Sequence, residues 1–126
     1  MILDGFVPFN FSEGVPYVSV TNNGVTFNKS VVMKLDYPRF VQLLINDTTK
    51  QIALLPCDET ARNAVVFYKP KESKVISVRW NGKDLLNTLQ DLMCWDLSQE
   101  AYKIEGTFIK EERIMLFDFT QASVLK

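Results

Sequence analysis

The side chains best suited to chemistry in this chain are cations. Between residues 60 and 83 stand Arg62, Lys69, Lys71, Lys74, Arg79 and Lys83, opposed by Glu72 alone, a local charge of +5. Cations spread along a strand-like segment suit contact with the phosphates of a polyanion. Residues 84–126 carry the opposite balance, −4, so the net charge of −1 hides a polarised chain. That near-neutral total argues against a protein that binds nucleic acid over its whole surface and leaves a local patch. The competing reading is plain: exposed turn and strand residues, solvated beside an acidic surface.

Other chemistry is sparse. The chain has no histidine, which removes the commonest general base near neutral pH and the usual nitrogen ligand of zinc. Cys57 and Cys94 are too few for a disulfide framework or a four-sulfur site, and both are expected to be buried as small hydrophobes. Asp58, Glu59, Asp96 and Asp118 have no calcium-loop spacing, and no glycine cluster forms a phosphate cradle. The expectation is a non-enzymatic protein with no cofactor and no metal. Phe67, Tyr68 and Trp80 lie beside the cations and have the ring faces for stacking bases, although strand aromatics more often fill a core.

The elements that must position these residues follow from periodicity. Residues 5–11 alternate around Pro8 and read as an extended edge segment that packs its phenylalanines down. Val18–Thr21 and Val25–Phe27 flank Asn22-Asn23-Gly24, a hairpin with residues that tolerate positive φ. Asn28 and Ser30 can cap a short helix carrying Val31, Val32 and Leu35, ended by Asp36-Tyr37-Pro38. A second hairpin joins residues 40–45 and 51–55 across a polar loop. The same order then returns. Residues 64–68 and 75–80 read as a hairpin with a proline turn, and Asn81 as the cap of a helix with Leu85, Leu86, Leu89, Leu92 and Met93 on one stripe. Trp95-Asp96 covers the end of that helix, and residues 102–109 and 113–119 form the last hairpin.

Such a doubled order defines the predicted architecture. The fold class is α+β and strand-rich: a tandem ββαββ repeat forming a swapped-hairpin-like β-barrel or pseudo-twofold β assembly with two short helices. Residues 1–14 form an extended segment, 15–57 the first unit, 58–63 a linker, 64–121 the second unit and 122–126 a tail. Each unit alone would be marginal, so one compact domain with a shared core is expected.

The run Val18-Ser-Val-Thr-Asn-Asn-Gly-Val-Thr-Phe-Asn-Lys-Ser-Val-Val-Met-Lys-Leu35, followed by a strand hairpin, resembles the swapped-hairpin unit of the AbrB/SpoVT/MazE group. Its doubling is similar to the MraZ arrangement, and the likeness spans roughly residues 15–121. The resemblance implies a DNA-binding transcriptional regulator whose first hairpin and helix start face double-stranded DNA. In the second unit Lys69, Lys71 and Lys74 would meet phosphates, with Arg62 of the linker beginning the same basic stretch, and Arg79 and Lys83 would approach base edges or backbone near the helix start. The first unit would add Lys29, Lys34 and Arg39. The alternative function is an interaction or assembly module of antitoxin-like or scaffold type, with a protein partner and no nucleic acid. A homo-oligomer is expected in both cases. No apolar run reaches the roughly 18 residues of a membrane helix, and the start of the chain lacks a secretory pattern, so a cytoplasmic protein without membrane contact is predicted.

Overall fold

The computed structural model describes residues 2–8, 14–70 and 76–125. Its elements are β1 (Tyr17–Thr21), β2 (Gly24–Phe27), α1 (Lys29–Lys34), β3 (Phe40–Asn46), β4 (Gln51–Pro56), β5 (Val65–Val66), β6 (Val78–Trp80), α2 (Lys83–Met93), β7 (Ala101–Ile109), β8 (Ile114–Asp118), a 3-10 turn (Phe119–Gln121) and β9 (Ser123–Leu125). Every ladder among them is antiparallel, and the strands form one sheet in the order β5, β3, β4, β8, β7, β1, β2, β6, with β9 added beside β7. The strand-rich α+β class with two helices is what the residues form.

The sheet curls strongly. Seven strand spacings separate β5 from β6, on the order of 33 Å in a flat sheet. Yet the Trp80 indole N–H donates to the Val66 carbonyl at 3.1 Å, so the two ends meet. Phe27 on β2 likewise lies 5.8 Å from Phe117 on β8, three strands away. Alternation explains the inside: Val18, Val20, Val25, Phe27, Ile52, Leu54, Ile104, Met115 and Phe117 all point into one buried cluster. Phe27 sits centrally, with Phe67 at 5.5 Å and Trp80 at 5.1 Å in edge contacts. Leu86 and Leu89 of α2 are buried, and Leu85 and Met93 pack against the same cluster.

Local chemistry sets the helix ends. The Asn28 side-chain oxygen accepts from Val31 N–H at 3.2 Å and Tyr17 N–H at 3.0 Å, and its amide donates to the Val15 carbonyl at 2.8 Å. One side chain thereby caps α1 and ties it to β1. At the other end Asp36 adopts a left-handed conformation (φ 63°) and Tyr37 N–H reaches back to the Val32 carbonyl at 2.9 Å, a glycine-type helix stop made without glycine. α2 stops the same way, with left-handed Cys94 and Trp95 N–H on the Gln90 carbonyl at 3.0 Å.

Several expectations need correction. Residues 2–8 form turns and coil rather than an edge strand, and Phe6 is 76% exposed; Phe9 and Phe11 lie outside the described residues. Pro8 removes a donor from so short a segment. Among the described residues β5 and β6 do not pair with each other: β5 joins β3, and β6 joins β2. The N–H groups of Phe67 and Tyr68 donate instead to the carbonyls of Arg39 and Pro38 at 2.8 and 3.0 Å. Asn81 does not cap α2; Gly82 holds that position with no side-chain bond. Cys94 is exposed and Cys57 half-buried, because a left-handed helix stop turns Cys94 away from the apolar stripe. The segment after Gln121, expected as a tail, contributes β9. No helix among the described residues is long and apolar enough to cross a membrane.

Candidate nucleic-acid interface

The ladder between β2 and β6 gathers three of the nominated cations. Thr26 faces Arg79 in register, and the Arg79 Nε–H donates to the Thr26 hydroxyl at 3.1 Å. Arg79 is exposed between buried Val78 and half-buried Trp80, so it points outward. Lys29 and Lys83 are the exposed first residues of the two helices that leave β2 and β6. Outward positions continue the row from Arg79 through Thr26, Ser19 and Lys103 to Ser123, a polar band crossing five strands. Lys103 sits 4.3 Å over the Tyr17 ring, which fixes its ammonium on this band. Composition marked Lys103 only as one cation in an acidic half; its register revealed the neighbourhood.

The remaining cations are dispersed. Arg62 is exposed in the linker, where its backbone carbonyl accepts from Gln42 at 2.7 Å, and Lys69 is exposed just beyond β5. Lys34 is half-buried at the last turn of α1. Lys71 and Lys74 lie outside the described residues. Arg39 lines an open cleft of about 630 Å³ together with Asp36, Cys57, Asp58, Glu59 and Arg113. Arg113 was not nominated from sequence; it occupies the left-handed end of the β7–β8 loop (φ 56°), which the antiparallel register of β4 and β8 brings beside Pro56. Two guanidinium groups and three carboxylates therefore share one solvated wall, with no net cationic character.

The acidic quartet is split. Asp58 and Glu59 line the cleft. Asp96 accepts from the Ser98 hydroxyl at 2.6 Å and the Ser98 N–H at 3.0 Å, and these bonds hold its carboxyl below the usual carboxylate range. Asp118 makes the same arrangement with Thr120 at 2.6 and 3.0 Å. Among the described residues no group of three or more carboxylates or thiols is placed to hold a metal ion. Phe67 is buried, Tyr68 packs on Tyr37 at 5.3 Å, and the Trp80 indole N–H is engaged by Val66, so these rings serve the core.

No family model, curated protein or solved structure matches this chain. The interface itself presents an exposed arginine at the centre of a two-strand ladder, with one exposed lysine at the start of each helix.

Proposed function

We propose that the chain is a tandem swapped-hairpin protein of the AbrB/MraZ type that binds double-stranded DNA across the β2–β6 face. The observation that carries this reading is the register. Exchanging β1–β4 for β5–β8 maps the pairing of β1 with β7 onto that of β5 with β3, and the β3–β4 hairpin onto β7–β8. Under the same exchange the β2–β6 ladder maps onto itself about the pair Thr26 and Arg79, and the β4–β8 ladder about the pair Ala53 and Leu116. Left-handed residues recur at matching places too: Asp36 and Cys94 after the helices, Lys50 and Arg113 before β4 and β8. Among the described residues the β1–β2 ladder has no counterpart between β5 and β6.

About a pseudo-twofold through Thr26 and Arg79 the two helix starts would fall on opposite sides, with Lys29 three residues beyond Thr26 and Lys83 four beyond Arg79. Duplex DNA has a local dyad of its own, so paired cations about a protein dyad meet phosphates of both strands. Arg79 stands where a guanidinium can enter a groove, and Lys69, Lys71 and Lys74 precede β6 on the same connection. Arg39, Arg62 and Lys34 fall away from this dyad and are expected to contribute little.

Fluorescence anisotropy with a labelled 24-base-pair duplex, titrated with salt, tests the reading. Binding at low ionic strength should weaken with a log–log slope near −0.9 per phosphate contacted, and Lys29→Glu, Arg79→Glu and Lys83→Glu should each reduce that slope by about 1 or more. Absence of binding at low salt, a flat slope, or equal effects from Arg62→Glu would overturn it. The assembly-module reading has one observation of its own, an apolar outer face elsewhere on the sheet.

A further inference from the structure

Opposite in character to the polar band is the outer surface of β3, β4, β8 and the second half of β7. In register, Leu44, Ala53, Leu116 and Thr107 form one outward row; beside it Leu55 faces Gln42 on β3, and Ile114 faces Ile109. Ala53 is buried, while the other apolar members neither belong to the buried cluster nor pack against it: Leu44 is 45% exposed, and Leu55, Ile109, Ile114 and Leu116 are half-buried. Five partly exposed apolar side chains around Ala53 thus cover the middle of four strands, bounded by Gln42, Thr107 and the Gln51–Asp118 pair. Continuous outward apolar rows on an antiparallel sheet mark a contact surface, since a solvated face would alternate to polar residues.

The same chain exposes a second apolar element. In residues 2–8, Ile2, Leu3, Phe6 and Val7 are between 60% and 92% exposed, and Asp4 is the segment's single ionisable side chain. The chain enters the sheet at Pro16, whose carbonyl accepts from Gly106 N–H at 2.9 Å. Gly106 adjoins Thr107 at the edge of the apolar rows, so the face begins about one to two strand spacings, roughly 5–10 Å, from where the segment is anchored. Seven residues lie between Pro8 and Pro16, so the eight steps from one to the other reach at most about 26 Å when extended. The segment would reach its own face, yet its apolar side chains stand in solvent. Its composition matches the face, and two copies related by a twofold axis would cover both faces with both segments in a closed, isologous exchange.

We propose that residues 2–8 of one copy lie across the Leu44–Leu116 face of a second copy, and reciprocally, forming a segment-exchanged homodimer. This inference does not rest on the DNA reading, because the face involved is centred on β4 and β8 and leaves the β2–β6 band free.

Light scattering coupled to size exclusion at 5–100 μM tests it on the full chain. The wild type should elute as a dimer, and Phe6→Asp/Val7→Asp, which alters side chains already in solvent, should elute as a monomer with an unchanged circular dichroism spectrum and a melting temperature that no longer depends on protein concentration. Leu44→Asp should give the same result from the other side of the contact. A pairing check uses Val7→Cys with Leu44→Cys in a Cys57→Ser/Cys94→Ser background: oxidation should yield a cross-linked dimer on a non-reducing gel. A monomeric wild type, a dimer insensitive to the segment and face variants, or a disulfide formed within one chain would each overturn the proposal.

Discussion

The ladders β2–β6 and β4–β8 are centred alike and finished differently. Their inward residues are of one kind: Val25, Phe27, Val78 and Trp80 at the first, Ile52, Leu54, Met115 and Phe117 at the second, and all eight belong to the core or pack directly on it. Their central outward pairs diverge, Thr26 with Arg79 at one and Ala53 with Leu116 at the other, where a polar Gln51–Asp118 pair follows at the ladder's end. Curling a sheet until its ends touch constrains only the side chains that meet inside. The outward set is free to differ, and here one ladder presents a hydrogen-bonded cation to water while the other presents a surface that water disfavours.

If the inside is common property, a single inward truncation should damage both regions at once. Phe27→Ala is expected to cost about 3–5 kcal/mol, read as a lowered denaturant midpoint with one cooperative transition. Two separated transitions would break the idea of a shared core. Gly24→Ala comes next, because its Cβ would stand 2.7 Å from the Trp80 carbonyl oxygen at a φ of +148° that L-residues rarely adopt. A loss of about 1–3 kcal/mol is expected, with the β2–β6 amides losing hydrogen-exchange protection before those of β4–β8.

Smaller effects sharpen the contrast between the helix starts. Asn28→Ala removes a cap with three side-chain hydrogen bonds and should cost about 1–2 kcal/mol, whereas Asn81→Ala should change stability by less than about 0.5 kcal/mol. Equal costs would restore a capping role to Asn81. An outward substitution away from the apolar face is the mildest for folding: Arg79→Ala should stay within about 0.5 kcal/mol of wild type in chemical denaturation. At the α2–β7 turn, the depressed titration of Asp96 means that its bonds to Ser98 are intact above the unfolded-state pKa and are lost as pH falls through the folded one. In a carbon-detected NMR titration Ser98→Ala should return the Asp96 midpoint toward the ordinary carboxylate range; an unmoved midpoint would show that another group holds the charge.

Much of the secondary structure was legible in the residues, and the reasons are local. β-Branched runs around Asn22-Asn23-Gly24, the Asn28 cap, the helix stop before Pro38 and the leucine stripe of α2 each act within a few residues, so periodicity and capping rules reach them. Asn81 misled because an Asn near a helix start resembles a cap whether or not its backbone takes the capping position. The 64–68 and 75–80 pairing misled because nearness in sequence favours a hairpin, while the α1–β3 turn competed successfully for the N–H groups of Phe67 and Tyr68.

The amino-acid order by itself determined which residues extend, which coil and which side of each strand is apolar, since those choices rest on steric preference and short-range hydrogen bonds. Ladder partners were decided by tertiary structure. So were the meeting of Trp80 with Val66, the approach of Arg113 to Pro56, and the separation of a polar outer band from an apolar one. Each of these joins residues far apart along the chain, and only the curvature of the whole sheet, driven by burial of Phe27 and its neighbours, brings them within reach.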